Sequence, residues 1–290
     1  MLDEHMMRLL DWALAEDLGS GDCTSQSSVP ADLEHEGFIL AKEPGVVAGI
    51  EVARAVFERV DPSVAFDAVV DDGADVTVGD VVIRVQGSAR SILAAERLAL
   101  NFMQRMSGVA TTTRRASACL KGTPTRVLDT RKTTPGLRAF EKWAVRIGGG
   151  VNHRMGLYDM ILIKDNHVDY AGSMAAALAG VQAYFNAGHD RVPVVVEVRS
   201  RVELREALAA SEAEGLPLTR LLLDNFTPDE VREAVAEVAG RLPLEASGGI
   251  HLDNLRAYGE AGVDFVSMGA LTHSVKSLDL SLKSHPTLAP

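Results

Sequence analysis

The sequence predicts a two-part α/β chain in which an α+β layered region is followed by a parallel β/α barrel. Three observations carry this. From about residue 20 to 107 strand-like and helix-like stretches mix without a repeat, whereas from residue 108 onward short apolar runs alternate with helically periodic ones. The runs of the second part, "TRVLDT", "DMILIK", "VPVVVEV", "TRLLLD", "PLEAS" and "DFVSMG", are nearly continuous in apolar residues, as strands covered on both faces are. They end near residues 130, 164, 198, 224, 247 and 269, each at a charged, polar or Gly position. An open doubly wound sheet is the alternative, but no G-x-G-x-x-G follows the first run, so a barrel is preferred.

The elements follow in order. "MLDEHMMRLLDWALAEDLG" has apolar residues at Leu2, Met6, Leu9, Leu10, Ala13 and Leu14 and stops at Gly19, which is an amphipathic helix. Strand-like "EGFILAKEPGVVAGI", a helix over "EVARAVFERV", strand-like "AFDAVV", a Gly-Asp hairpin region "DDGADVTVGD" and a strand "VVIRVQG" come next. A long helix, "ARSILAAERLALNFMQRMSG", closes the first region at Gly108. In the second, "SRVELREALAASEAEG", "TPDEVREAVAEVAGRL" and "HLDNLRAYGEAG" supply helices between strands.

At 290 residues and 47% apolar composition the chain can bury one barrel-sized core and a smaller one. A formal charge of -11 argues against a nucleic-acid or anionic-membrane partner. Between Arg126 and His167, however, eight Lys or Arg stand against four acids, a basic island suited to an anionic ligand. Cys23 and Cys119 lack metal-ligand or redox spacing, no charged-then-apolar leader opens the chain and no apolar run reaches membrane-span length, so a reduced, cytoplasmic protein is expected.

The strand ends carry the candidate chemistry. Lys164 ends "ILIK", and a strand apolar enough to be buried has to pair or use that ammonium. Glu197 and Asp224 end neighbouring aliphatic runs, where two carboxylates can hold sugar hydroxyls or a divalent metal through water. Ser247-Gly248-Gly249 turns from a strand toward a helix, and Gly269 and His273 lie on the next loop, an arrangement suited to phosphate or to two tight turns. In "DTRKTTPGLRAFEKWAVRIGGGVNHRMGLYD", Arg131 and Arg154 can grip an anion in two-pronged fashion and the triple Gly can approach it. Arg138, Lys142 and Arg146, spaced by four, read as a solvated helix face. His153 and His167 have no metal-type partner at helical spacing, and His167 reads as a loop hydrogen bonder.

"EDLGSGDCTS", "AERLALNFMQRMSGVAT", the run from Asp129 to His167, "LLLDNF", "EASGGI" and "GVDFVSMGALTHS" together resemble the quinolinate phosphoribosyltransferase family over nearly the whole chain. That resemblance implies an N-terminal α/β sandwich over 1–107, completed by 270–290, and an incomplete α/β barrel over 108–269. It also implies a homodimer or larger assembly, Mg2+, and condensation of quinolinate with phosphoribosyl pyrophosphate to nicotinate mononucleotide, pyrophosphate and CO2 in NAD biosynthesis. Arg131, Lys132, His153, Arg154 and Lys164 would line the dicarboxylate and pyrophosphate pocket, with Arg105 reaching it from the partner subunit. Lys132, Lys164, Glu197 and Asp224 would act in catalysis, Glu197 and Asp224 lying near ribose and metal, and Ser247, Gly248, Gly249, Gly269 and His273 would hold phosphate. One position departs: where the family alternates two glutamates, this chain reads Val195-Val196-Glu197, which puts metal affinity in doubt. Other readings stay open. They are a phosphoribosyltransferase-like paralogue with another acceptor, a Schiff-base aldolase using Lys164, and a catalytically silent nucleotide-binding scaffold.

Overall fold

The computed structural model describes residues 2–284. In chain order it places α1 (Glu4–Leu18), α2 (Cys23–Ser28), β1 (Glu34–Ala41), β2 (Gly45–Val46), α3 (Ile50–Val60), β3 (Ala65–Ala68), β4 (Asp75–Val76), β5 (Val81–Ser88) and α4 (Ala89–Cys119). There follow β6 (Arg126–Leu128), α5 (Arg138–Ile147), β7 (Ile161–Ile163), α6 (Asp165–Ala171), α7 (Met174–Asn186), β8 (Val194–Val198), α8 (Arg201–Glu214) and β9 (Arg220–Asp224). The last are α9 (Pro228–Val238), β10 (Leu244–Ser247), α10 (Leu252–Glu260), β11 (Phe265–Ser267), α11 (Ala270–His273) and β12 (Leu280–Lys283). Two compact units result: one holds residues 2–114, 133–149 and 271–284, the other 115–132 and 150–270.

The first unit is built on a four-stranded antiparallel sheet in the order β12-β1-β5-β3. Its central strand β1 pairs on one side with β5 and on the other with β12, so the chain's tail completes the sheet; residues 285–290 of that tail lie outside the described residues. α1 begins where Asp3 accepts the Met6 N–H at 2.8 Å and ends at Gly19, as its spacing predicts. α3 turns Val52, Ala53, Val56 and Phe57 into the core.

Two expectations fail in this unit. The long helix does not stop at Gly108 but runs on to Cys119, because Gly108 is a close-approach residue: a Cβ there would stand 2.3 Å from the Lys276 carbonyl of the returning tail. A boundary at 107/108 therefore falls inside one continuous helix, and the unit also takes in α5, which the sequence reading assigns to the barrel. The presumed solvated basic face of α5 is also incorrect in part, since Lys142 is buried together with Glu141, while Arg146 is exposed. Helical spacing says which residues share a face, not which face the tertiary structure covers.

The second unit is a six-stranded parallel sheet in the order β6-β11-β10-β9-β8-β7. Strands from β7 to β11 are added in one direction, and the first strand, β6, lies beside the last; that is barrel winding rather than the reversal of a doubly wound sheet. Among the described residues β6 and β7 do not pair, and beyond β6 Val151 alone bridges, to Leu128, which leaves an incomplete barrel. β8 is buried along its whole length, as a strand covered on both faces must be. Cys23 and Cys119 form no disulfide, and among the described residues no helix is long and apolar enough to cross a membrane.

Candidate active site

Alternation along the strands and their pairing register put Val195 and Glu197 of β8, Arg220, Leu222 and Asp224 of β9, and Glu245 and Ser247 of β10 on one face of the second unit's sheet. Polar groups on that face rise toward the C-terminal strand ends, where barrel enzymes do their chemistry.

Lys164 leaves β7 in extended conformation and caps α6. Its N–H donates to His167 Nδ1 at 2.9 Å, so His167 is a helix-end hydrogen bonder and not, as expected, a loop one. The Lys164 ammonium pairs with Glu197 Oε2. Glu197 is 7% exposed whereas the Lys164 side chain is 43% exposed, so one partner is buried and the other faces the opening. The charge at the end of "ILIK" thus finds its counter-charge on the neighbouring strand.

Asp224 ends β9 in register with Ser247 of β10, which brings carboxylate and hydroxyl to adjacent strand ends. Asp224 Oδ2 accepts from Asn225 Nδ2 at 2.8 Å. Asn225 itself takes a left-handed φ of 58°, and its N–H donates to the Ser247 carbonyl at 2.8 Å. Gly248 is required against it: φ is +95°, and a Cβ would stand 2.1 Å from Asn225 Oδ1 and 2.9 Å from Asn225 N. The Ser-Gly-Gly turn is therefore packed onto the end of β9, beside Asp224.

Arg131 and Lys132 are exposed beyond β6, where the Lys132 N–H donates to Thr130 Oγ1 at 3.0 Å. Arg154 is buried, and its Nη1 donates to the Met160 carbonyl at 3.1 Å. Burial lowers the proton affinity of its guanidinium, the charge of Arg131 lowers it further, and Asp159 opposes both. A guanidinium stays charged regardless. Two crowded cations are thus held where an anion would relieve them. His153, buried just before Arg154, accepts the Arg154 N–H on Nδ1 at 2.8 Å.

Of the triple Gly, the first is needed for packing. Gly148 belongs to the first unit, where a Cβ would stand 2.4 Å from the Ala110 carbonyl, so it lets α4 and the end of α5 pack. Gly269 follows β11 in the second unit, half-buried. Arg105 and His273 belong to the first. Arg105 donates there to Glu141 Oε1 from Nε at 3.0 Å and from Nη2 at 2.7 Å, and also to the Thr272 carbonyl. His273 is exposed, its Nδ1 2.6 Å from Ser274 Oγ. A cavity of about 710 Å³ lies along the outer edge of β7; of the expected site residues it touches only Arg154.

Four residues escape the sequence reading: Asp129, Arg220, Asn225 and Glu245. Asp129 and Glu245 are fully buried charges in apolar settings, the same signal that points to Glu197: Asp129 directly follows β6, and Glu245 lies inside β10. Among the described residues no group of three or more His, Cys, Asp or Glu is placed to hold a metal ion by itself.

An incomplete parallel barrel with cations and a Ser-Gly-Gly turn at its strand ends has the build of a barrel enzyme whose site suits anionic substrates. Comparison with known proteins narrows this. The models described as "Quinolinate phosphoribosyl transferase, N-terminal domain" and "C-terminal domain" match residues 22–107 and 109–283. The chain is 45% identical over 291 residues to a tobacco "Quinolinate phosphoribosyltransferase [decarboxylating] 2a, mitochondrial", covering 97% of this chain and 82% of that one. It is 43% identical over 278 residues to a "Probable nicotinate-nucleotide pyrophosphorylase [carboxylating]" of Bacillus subtilis, covering 96% and 93%. The crystal structure of NadC from Streptococcus pyogenes superposes with a TM-score of 0.91 at 40% identity, over 98% of this chain and 97% of that one. The chain belongs to the quinolinate phosphoribosyltransferase family.

Proposed function

We propose that the protein transfers the phosphoribosyl group of phosphoribosyl pyrophosphate to quinolinate and releases pyrophosphate and CO2, leaving nicotinate mononucleotide for NAD biosynthesis. The observation that carries this is the set of groups at the second unit's strand ends: the Lys164–Glu197 ion pair, Asp224 in register with Ser247, and the Ser-Gly-Gly turn packed beside it, with the buried guanidinium of Arg154 in the same unit. A pyridine dicarboxylate brings two negative charges to these cations. In this reading Arg131, Lys132 and Arg154 grip the carboxylates, and Lys164 exchanges Glu197 for a substrate anion. Freed from Lys164, Glu197 joins Asp224 in facing the positive charge that develops on the ribose as the pyrophosphate bond lengthens. The ring nitrogen attacks C1 of that sugar. Once quaternary, its positive charge stabilises the electron pair that stays on the neighbouring ring carbon as CO2 departs, and that carbon then takes up a proton from water, so no strong general base is needed. The turn Ser247-Gly248-Gly249 and the loop of Gly269 receive the 5′-phosphate.

Mg2+ fits this donor set as a substrate-carried ion. It keeps several waters and needs only one or two carboxylates beside phosphate oxygens, and Asp224 and Glu197 would meet it in that way. Held there, it would supply positive charge to the leaving pyrophosphate. A carboxylate at position 195 would lie in register with Arg220, below the strand ends, so Val195 bears on the barrel interior before it bears on the metal. The roles of Arg105 in a partner copy's site within a homodimer, and of His273 toward phosphate, rest on the family resemblance. Cytoplasmic placement rests on the two unpaired thiols.

An assay with quinolinate, phosphoribosyl pyrophosphate and Mg2+ tests the proposal, and equal or faster turnover of another pyridine or purine acceptor would favour a paralogous activity. Against an aldolase, the ion pair with Glu197 belongs to the ammonium form of Lys164, whereas a Schiff-base nucleophile has to be a neutral amine. Borohydride should trap no carbonyl compound on Lys164.

A further inference from the structure

Two charges inside the barrel, Glu245 and Arg220, take no part in the chemistry above. Glu245 of β10 is fully buried, and Arg220 at the start of β9 is 7% exposed. Arg220 Nε stands 2.9 Å from Glu245 Oε2, and His153 Nε2 stands 3.5 Å from the same oxygen. The first is a contact between charges and the second turns a ring nitrogen toward the same carboxylate; among the described residues neither Glu245 oxygen nor Arg220 Nε has a well-angled hydrogen-bond partner. Burial alone would raise the proton affinity of Glu245, but His153, Arg220 and Ser267 outweigh it and keep the carboxylate ionised.

Such a pair is a poor device for stability. Desolvating two ions costs more than an imperfectly angled contact returns, and a packed apolar pair is commonly no worse. The cluster therefore needs another reason, and its third member supplies one. His153 Nδ1 accepts the Arg154 N–H at 2.8 Å, which leaves the ring proton on Nε2, toward Glu245. The His153 N–H donates to Asp129 Oδ1 at 2.8 Å, and Asn152 Nδ2 donates to Asp129 Oδ2 at 2.5 Å. Ring and backbone of His153 are thus held from separate directions, immediately before the guanidinium that crowds Arg131.

We infer that Glu245, charge-balanced by Arg220, is a positioning residue for the dicarboxylate site: it orients the His153 ring, and His153 sets the backbone from which Arg154 reaches the substrate. This rests on quinolinate being the acceptor. The carboxylate touches no substrate atom. It acts at the lower end of a chain that runs from Glu245 through His153 to Arg154, so its loss is felt at one substrate and not at the other.

The test is steady-state kinetics for both substrates on the wild type, Glu245→Gln, Glu245→Leu and the double variant Glu245→Leu with Arg220→Met, each checked for cooperative unfolding. Glu245→Leu alone strands a buried guanidinium and is the variant at risk of misfolding; the double variant removes both charges. The double variant is expected to fold and to show KM for quinolinate raised about tenfold, with kcat and KM for phosphoribosyl pyrophosphate within about threefold of wild type. Glu245→Gln keeps an acceptor for the Nε2 proton and is expected to stay within about threefold of wild type in all three constants. A merely structural role makes the opposite forecast, since the charge-balanced double variant would then recover KM for quinolinate along with stability. That recovery, or an equal loss toward both substrates, overturns the inference. A wild type that binds phosphoribosyl pyrophosphate yet never consumes quinolinate overturns the acceptor reading first, and the wild-type arm reports this separately.

Discussion

Replacing Lys164 with Ala removes one charge from two states of the enzyme. In the empty site its ammonium pairs with Glu197 Oε2. Breaking a fully buried pair costs about 3–5 kcal/mol, but the 43% exposure of the Lys164 side chain lets water replace much of the contact, and about 1–2 kcal/mol is the better figure here. The fold should survive that. In the filled site a charge-assisted hydrogen bond from the ammonium to a substrate anion contributes about 1.5–3 kcal/mol, which corresponds to roughly 10- to 150-fold in kcat/KM. A bared Glu197 carboxylate would add repulsion against the incoming anion. Adding Glu197→Gln removes that repulsion but also a group that faces the ribose, so the two changes should not be additive. The assay is steady-state release of CO2 from carboxyl-labelled quinolinate, with thermal unfolding measured in parallel. A folded Lys164→Ala enzyme within about twofold of wild type would refute the reasoning and remove Lys164 from the site.

Three further outcomes are expected. Gly248→Ala forces a left-handed φ and a Cβ 2.9 Å from the Asn225 backbone nitrogen; it should cost about 1–3 kcal/mol in urea unfolding and raise KM for phosphoribosyl pyrophosphate more than for quinolinate. Glu141→Ala strands Arg105 and leaves the Thr134 N–H, now 3.1 Å from Glu141 Oε2, without its acceptor, so chemical denaturation should report a loss of about 3 kcal/mol. Glu245 has its proton affinity lowered in the folded state, so its stabilising charge is fully present above the ordinary glutamate value and is lost as pH falls through the lower folded value. Stability of Glu245→Gln measured against pH should therefore fall less steeply than that of wild type over the acid range below the ordinary glutamate value.

The strand ends were legible because a covered strand tolerates charge mainly where it emerges: Lys164 and Asp224 stand at such exits, Glu197 is the buried last-but-one residue of β8, and pairing register then set Asp224 beside Ser247. The pairing of Lys164 with Glu197 could be expected once both ended neighbouring strands. Glu245 and Arg220 carry an equally plain charge in an apolar setting, yet nothing local says that they meet as diagonal neighbours on adjacent strands or that His153 reaches the same carboxylate. Position along a run reveals an exit from the core; partnership inside the core is a property of register. The same limit explains α5, whose basic spacing was readable while the burial of Glu141 and Lys142 depended on what covers that face. Gly108 misled for a related reason, since a Gly that admits a distant backbone looks in sequence like one that ends a helix.

The most direct test of the central claim is to follow quinolinate, CO2 and nicotinate mononucleotide together in one reaction with phosphoribosyl pyrophosphate and Mg2+. The account predicts one CO2 and one nicotinate mononucleotide for each quinolinate consumed, and neither product when phosphoribosyl pyrophosphate is left out. Pyrophosphate release without CO2, or a mononucleotide that keeps both carboxylates, would contradict it.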